Sequence, residues 1–173
     1  FFPMDDFLTS QALAVSPELK TTRLETINSV IATKSGIIVT NLMGYLRYLP
    51  PKENFKQSYI TLKQGDKYTT KSLIQKLYHI GYKRETTIKM TGELAVRGFV
   101  IDIYPINQEN PIRIEFWDNI IDQIKIFDVT TQRTIKNITE TCIYPNTEFL
   151  IDKDTFDIPY RDMPKYVSVT NIE

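Results

Sequence analysis

The amino-acid sequence predicts two structural units in series, an α/β unit followed by an α+β unit, and three observations carry this expectation. The first fifty residues alternate helix-like periodicity with a β-branched run, the rhythm of a parallel-sheet unit. From Tyr59 onward one helical pattern is followed by a succession of short strand-like runs, which argues an antiparallel or meandering sheet with a helix packed on it. Between the two, the polar stretch Pro51 to Gln57 reads as a connector.

Taken in order, the chain opens on apolar Phe1-Phe2-Pro3 without a methionine, which reads as the end of a buried strand and predicts a fragment of a longer protein. Asp5 to Val15 reads as a loop. Ser16-Pro17-Glu18 is a helix start: serine caps, proline suits the first helical position, and an acid favours the first turn. Leu24, Ile27 and Ile31, with Val30, give that helix one apolar face, and Lys34-Ser35-Gly36 ends it. Gly36 to Thr40 has the composition of a strand covered on both faces. Asn41 then caps a helix from Leu42 to Leu49, stopped by Pro50-Pro51.

In the second unit Tyr59 to Leu62 is a strand and Gly65-Asp66 a turn. Thr69 or Thr70 caps a helix with Leu73, Leu77 and Ile80 on one face, and Gly81 stops it. Strands follow at Thr86 to Met90, Leu94 to Tyr104, Ile112 to Trp117, Ile121 to Val129 and Thr134 to Ile143. The expected organisation is residues 1–57, residues 58–150, and a tail at 151–173 in which Tyr166 to Ile172 suits a strand returning to the first unit.

Composition narrows the function. Hydrophobic residues make up 42% and charged residues 24%, and no apolar run approaches the roughly 18 residues of a membrane span. No signal-peptide pattern opens the chain, so a cytoplasmic protein without membrane contact is expected. Lys plus Arg equals Asp plus Glu at 21 each, so nucleic acid is not the default partner. One cysteine, Cys142, and one histidine, His79, exclude an internal disulfide and a cysteine/histidine zinc site. The six glycines fall in neither phosphate-loop nor dinucleotide-turn spacing, so no bound cofactor is expected.

Other candidates carry less. His79 sits near a helix end with no nucleophile tied to it, and Cys142 in its strand pattern reads as a small buried hydrophobe. Asp5 and Asp6 are adjacent and point apart, which is poor metal geometry. Lys63, Lys67, Lys71, Lys76, Lys83 and Arg84, with tyrosines between them, could touch nucleic acid, but Asp66 and Glu85 dilute the patch.

The informative stretch runs from Gly92 to Ile135. Gly98 interrupts an apolar strand pattern, where glycine often marks a bulge, and such a bulge would re-aim Arg97. In the next strand Ile112, Ile114 and Phe116 alternate with Arg113, Glu115 and Trp117, so one face is apolar and the other carries an arginine, an acid and the only tryptophan. Arginine beside tryptophan on an outward face has the composition of a protein-binding hot spot. The bland alternative is that Glu115 neutralises Arg113 while Trp117 closes the core. Between Lys89 and Asp128 four basic residues face seven acidic ones, a balance that suits a protein partner better than DNA.

The segments GELAVRGFVIDIYP, PIRIEFWDNIIDQIKIFD and the TQRT at Thr131 to Thr134, with SPELKTTRLETINSVI and IIVTNLMGYLRYLPP upstream, resemble the UvrB-homology module of bacterial transcription-repair coupling factors, the Mfd family. The resemblance implies a first subdomain with a degenerate helicase-like fold, then an inserted subdomain that binds UvrA. It implies contact with UvrA through Arg97, Arg113 and Trp117, supported by Gly98 and Glu115. This chain departs from the family in having Trp117 where phenylalanine is usual and Phe99 where a second glycine is usual. The implied role is a non-catalytic adaptor that recruits UvrA to stalled RNA polymerase during nucleotide excision repair. ATP, Mg and grip on RNA polymerase and double-stranded DNA would belong to a larger parent. A UvrB-like damaged-DNA-binding module is the alternative.

Overall fold

The computed structural model describes residues 1–3, 17–33, 35–45, 49 and 51–150. Helix α1 spans Pro17–Ala32, α2 Leu42–Tyr45, α3 Lys52–Gln57 and α4 Thr70–His79. The strands are β1 Ile60–Lys63, β2 Lys83–Arg84, β3 Glu93–Arg97, β4 Val100–Ile103, β5 Ile112–Trp117, β6 Ile120–Phe127, β7 Thr134–Ile138 and β8 Glu140–Ile143. Six strands form one sheet in the order β2-β3-β4-β5-β6-β7, and β1 pairs with β8 in a second. Every pairing is antiparallel except β2 with β3. The mixed, mostly antiparallel architecture expected beyond Tyr59 is present.

Helix α4 forms where its cap and its apolar spacing agree. Thr69 Oγ1 accepts from the Ser72 N–H at 3.1 Å, while Leu73 and Leu77, one turn apart, are buried. Those leucines and Ile80 pack with Leu94, Ile101, Ile103, Ile112, Ile114 and Ile124 from β3 to β6, so the helix covers one face of the large sheet. The same apolar cluster takes in Phe2, Leu24 and Ile27, so α1 adds to it rather than standing apart. On the sheet's other face a small cluster joins Ile88, Ala95 and Phe127, with Tyr104 and Val129 against it.

Several expectations need correction. Pro51 to Gln57 holds the helix α3, because Phe55 gives it a buried anchor and Glu53 an acid in its first turn. Ser16 lies outside the described residues, and α1 ends at Ala32, short of Lys34, with Val30 exposed. The run Gly36 to Thr40 makes only an isolated parallel bridge, Phe2 to Thr40, and Ile37, Ile38 and Val39 are all exposed, Ile37 to 94%, so the run is not covered on both faces by the described residues. Asn41 does cap α2, its Oδ1 accepting from the Gly44 N–H at 2.8 Å, but residues 46–48 lie outside the described set.

Thr86 to Met90 is not a strand. The Glu93 carboxylate accepts from the Lys89 and Met90 N–H groups at 2.6 and 3.1 Å, removing those donors from any ladder, and the parallel pairing is made earlier by β2. Leu94 to Tyr104 is a hairpin, not one bulged strand. Arg97 pairs with Val100 across a two-residue turn of Gly98 and Phe99, and Gly98 takes φ +59° while Phe99 does not. Glycine first with positive φ is the pattern of a type II′ hairpin turn. Thr134 to Ile143 splits at Thr139, whose carbonyl accepts from the Gln64 N–H at 2.8 Å, and β8 leaves for β1. Cys142 on β8 is half-buried, with the Thr61 hydroxyl 3.8 Å from its sulfur.

Candidate functional site

The register of the large sheet sets one row of side chains on the face away from α4. Ala95 on β3 pairs with Asp102 on β4, Asp102 with Arg113 on β5, and Arg113 with Lys125 on β6. Strand alternation sends these residues to one side and their isoleucine neighbours to the core. Asp102 is the centre of the row and only 2% exposed.

Burying a carboxylate is costly unless charges of the opposite sign and hydrogen-bond donors surround it. Here two arginines do so. Arg113 grips Asp102 with a two-pronged fork, Nε to Oδ1 at 2.7 Å and Nη2 to Oδ2 at 3.0 Å. Arg97, from the strand on the other side, donates through Nη2 to Oδ2. The Arg113 guanidinium also lies 4.4 Å over the Phe127 ring and donates to Gln132 Oε1 at 3.2 Å. Its pKa is raised, first by the hydrogen bond to Asp102, against the opposing effect of burial.

The two arginines are therefore unlike each other. The Arg113 side chain is 17% exposed and packed on three sides, whereas the Arg97 side chain is 55% exposed. The sheet thus holds one arginine and presents the other. Glu115 makes its ion pair with Lys125, accepting from Nζ at 2.7 Å, and acts on Arg113 only through a lesser charge attraction. Trp117 does not close the core, being 78% exposed at the end of β5. Gly98 shapes the hairpin tip that follows Arg97, and no atom lies within 4 Å of where its Cβ would stand.

The tips of two hairpins stand side by side at this end of the sheet. The Phe116 N–H donates to the Phe99 carbonyl at 2.9 Å, which sets the Gly98-Phe99 turn against the strand end that bears Trp117. Phe99 is 66% exposed, so two large aromatic side chains and the open arginine share one edge. Sequence reasoning missed Asp102 and Phe99. The signal for Asp102 was available: an acid inside the apolar run Val100-Ile101-Asp102-Ile103-Tyr104 requires a buried partner.

A sequence family described as the UvrB interaction domain matches residues 60–149. The chain belongs to this family. The matched range runs from β1 past β8 and contains α4, both sheets and every residue of the site. The UvrB interaction domain is accompanied by wider similarity. The transcription-repair-coupling factor of Staphylococcus haemolyticus is 35% identical over 153 residues, 88% of this chain and 13% of that protein. The Bacillus subtilis transcription-repair-coupling factor is 35% identical over 150 residues, again 13% of its length. This chain thus spans about an eighth of those relatives, 13% by length. Among the described residues no cluster of His, Cys, Asp or Glu is placed to hold a metal, and no helix is long and apolar enough to cross a membrane. Asp5 and Asp6, and the returning strand expected at Tyr166 to Ile172, lie outside the described residues.

Proposed function

We propose that this chain is the UvrA-recruiting part of a transcription-repair coupling factor, acting by binding and not by catalysis. The observation that carries the reading is the pairing of the presented Arg97 with two exposed aromatics, Phe99 and Trp117, on a UvrB interaction domain. Aromatic and arginine side chains dominate the energetics of protein interfaces. In this reading Arg97 and Trp117 touch UvrA, Arg113 shapes the surface from beneath, and Glu115 and Gly98 support the two hairpins. The first fifty-seven residues, to Gln57, would belong to a degenerate helicase-like subdomain. ATP hydrolysis, with its Mg, and contacts with RNA polymerase and double-stranded DNA would reside in the rest of a longer protein, and this chain itself would need no cofactor.

Titration of this chain against purified UvrA without DNA tests the reading. Arg97→Ala, Arg113→Ala and Trp117→Ala are each expected to weaken binding by on the order of 2 kcal/mol, about thirtyfold. Trp117→Ala should leave thermal stability within about 0.5 kcal/mol of the parent, because its side chain is exposed. Folded Arg97→Ala and Arg113→Ala proteins that bind UvrA as tightly as the parent would sink the proposal.

A further inference from the structure

Resting on that reading, we infer that Asp102 is a positioning residue for the interface: its buried carboxylate fixes where Arg97 presents its remaining donors to the partner. Asp102 accepts three N–H donors from two arginines, yet the arginines share it unequally. Arg113 donates one N–H bond to each carboxylate oxygen through its fork. Arg97 reaches it with a single nitrogen, Nη2, and among the described residues no other hydrogen bond, ion pair or ring contact holds the Arg97 guanidinium. A guanidinium has five N–H donors in a fixed plane, so tethering one edge aims the rest. The Arg97 side chain is 55% exposed and stands just before the Gly98-Phe99 turn, so donors not spent on Asp102 are open to a carboxylate or carbonyl oxygen on the partner.

Charge makes the inference separable from simple attraction. Arg97, Arg113 and Lys125 are three cations against the two carboxylates of Asp102 and Glu115, so the patch has a small positive excess. Replacing Asp102 with asparagine enlarges that excess. If the patch drew its partner only by positive charge, the variant would bind UvrA more tightly. If Asp102 positions Arg97, the variant binds more weakly, because the asparagine NH2 sets a donor against the arginine donors and releases Arg97 into solvent.

The experiment compares Asp102→Asn with the parent chain for UvrA binding, alongside Arg97→Ala, and follows rotation of the arginine guanidinium groups by NMR in the free chain. Expected are binding about tenfold weaker in Asp102→Asn, a smaller effect of Arg97→Ala in that background, and Arg97 rotation as fast as that of the exposed Arg133. Unchanged or tighter binding by folded Asp102→Asn, with Arg97→Ala still damaging, overturns the positioning role and leaves the UvrA reading standing. Full binding by Arg97→Ala overturns the inference, and full binding by Arg113→Ala as well overturns the reading itself. If Asp102→Asn fails to fold, the parent decides: Arg97 must rotate more slowly than Arg133, and equal rates overturn the inference.

Discussion

Asp128, just past β6, shows how one side chain shapes the site from a distance. Its carboxylate accepts from the Thr131 N–H at 2.6 Å, closing the turn that sets Gln132 at φ +60°, and Gln132 Oε1 in turn accepts from Arg113. The Thr131 backbone and then the Thr131 side chain hold the Asp128 carboxyl below its ordinary value. A lowered pKa means the turn's contribution to stability is present above the ordinary aspartate pKa and is lost as pH falls through the lowered one. NMR titration should therefore show Asp128 titrating below ordinary aspartate, with Thr131 amide protection falling in the same step; titration at or above the ordinary value would contradict this. The Thr131-to-Thr134 motif was legible as a resemblance, but its physical meaning was not. Only the fold shows that Gln132 is a prop for Arg113.

Element by element, the sequence was most informative where one local rule acted alone. β5 was legible to the residue because its alternation is unbroken, and α4 because Thr69 and two leucines one turn apart agree. Errors arose where a run of suitable residues hid a reversal: Gly98 reads equally as a bulge or a turn, and only pairing between Arg97 and Val100 decides. Glycine at the next turn shows what such positions demand. Gly92 has φ +85°, and a Cβ there would stand 2.2 Å from Asn146 Nδ2, a buried side chain that donates to the Gly81 carbonyl at 3.1 Å. Gly98→Ala meets only the backbone cost of a positive φ, about 1–2 kcal/mol, since nothing beyond its chain neighbours lies near its Cβ. Gly92→Ala adds a clash and a broken hydrogen bond, so its loss should be about 3 kcal/mol or more. Urea unfolding of the two variants checks the order, and equal losses would refute the close approach at Asn146.

At the scale of the whole molecule, the contact that was least legible is the one between Arg23 and Glu148, 125 residues apart. Arg23 on α1 is almost wholly buried, its Nε and Nη2 donating to the two Glu148 oxygens at 2.5 and 2.7 Å and its Nη1 to the Pro3 carbonyl at 2.5 Å. The guanidinium also lies 4.2 Å over the Phe2 ring. In the sequence Arg23 looks like any solvent-facing helix arginine, because nothing local announces a partner so distant. The pair, with the Tyr59 hydroxyl donating to Asn28 Oδ1 at 2.7 Å and the Tyr59 ring stacked on Tyr144, ties α1 to the strands and to the segment after β8. A buried pair recovers its desolvation cost only while both partners remain. Arg23→Ala should therefore destabilise the chain by about 3 to 5 kcal/mol, leaving a buried carboxylate uncompensated, whereas Arg23→Met with Glu148→Leu should cost far less than the two single changes together. The double variant should also keep its affinity for UvrA, since Asp102, Arg97 and Trp117 belong to strands that the pair does not touch. Additive losses in urea unfolding would show that Arg23 and Glu148 act independently; lost UvrA binding in a stable double variant would show that the anchoring of α1 reaches the site.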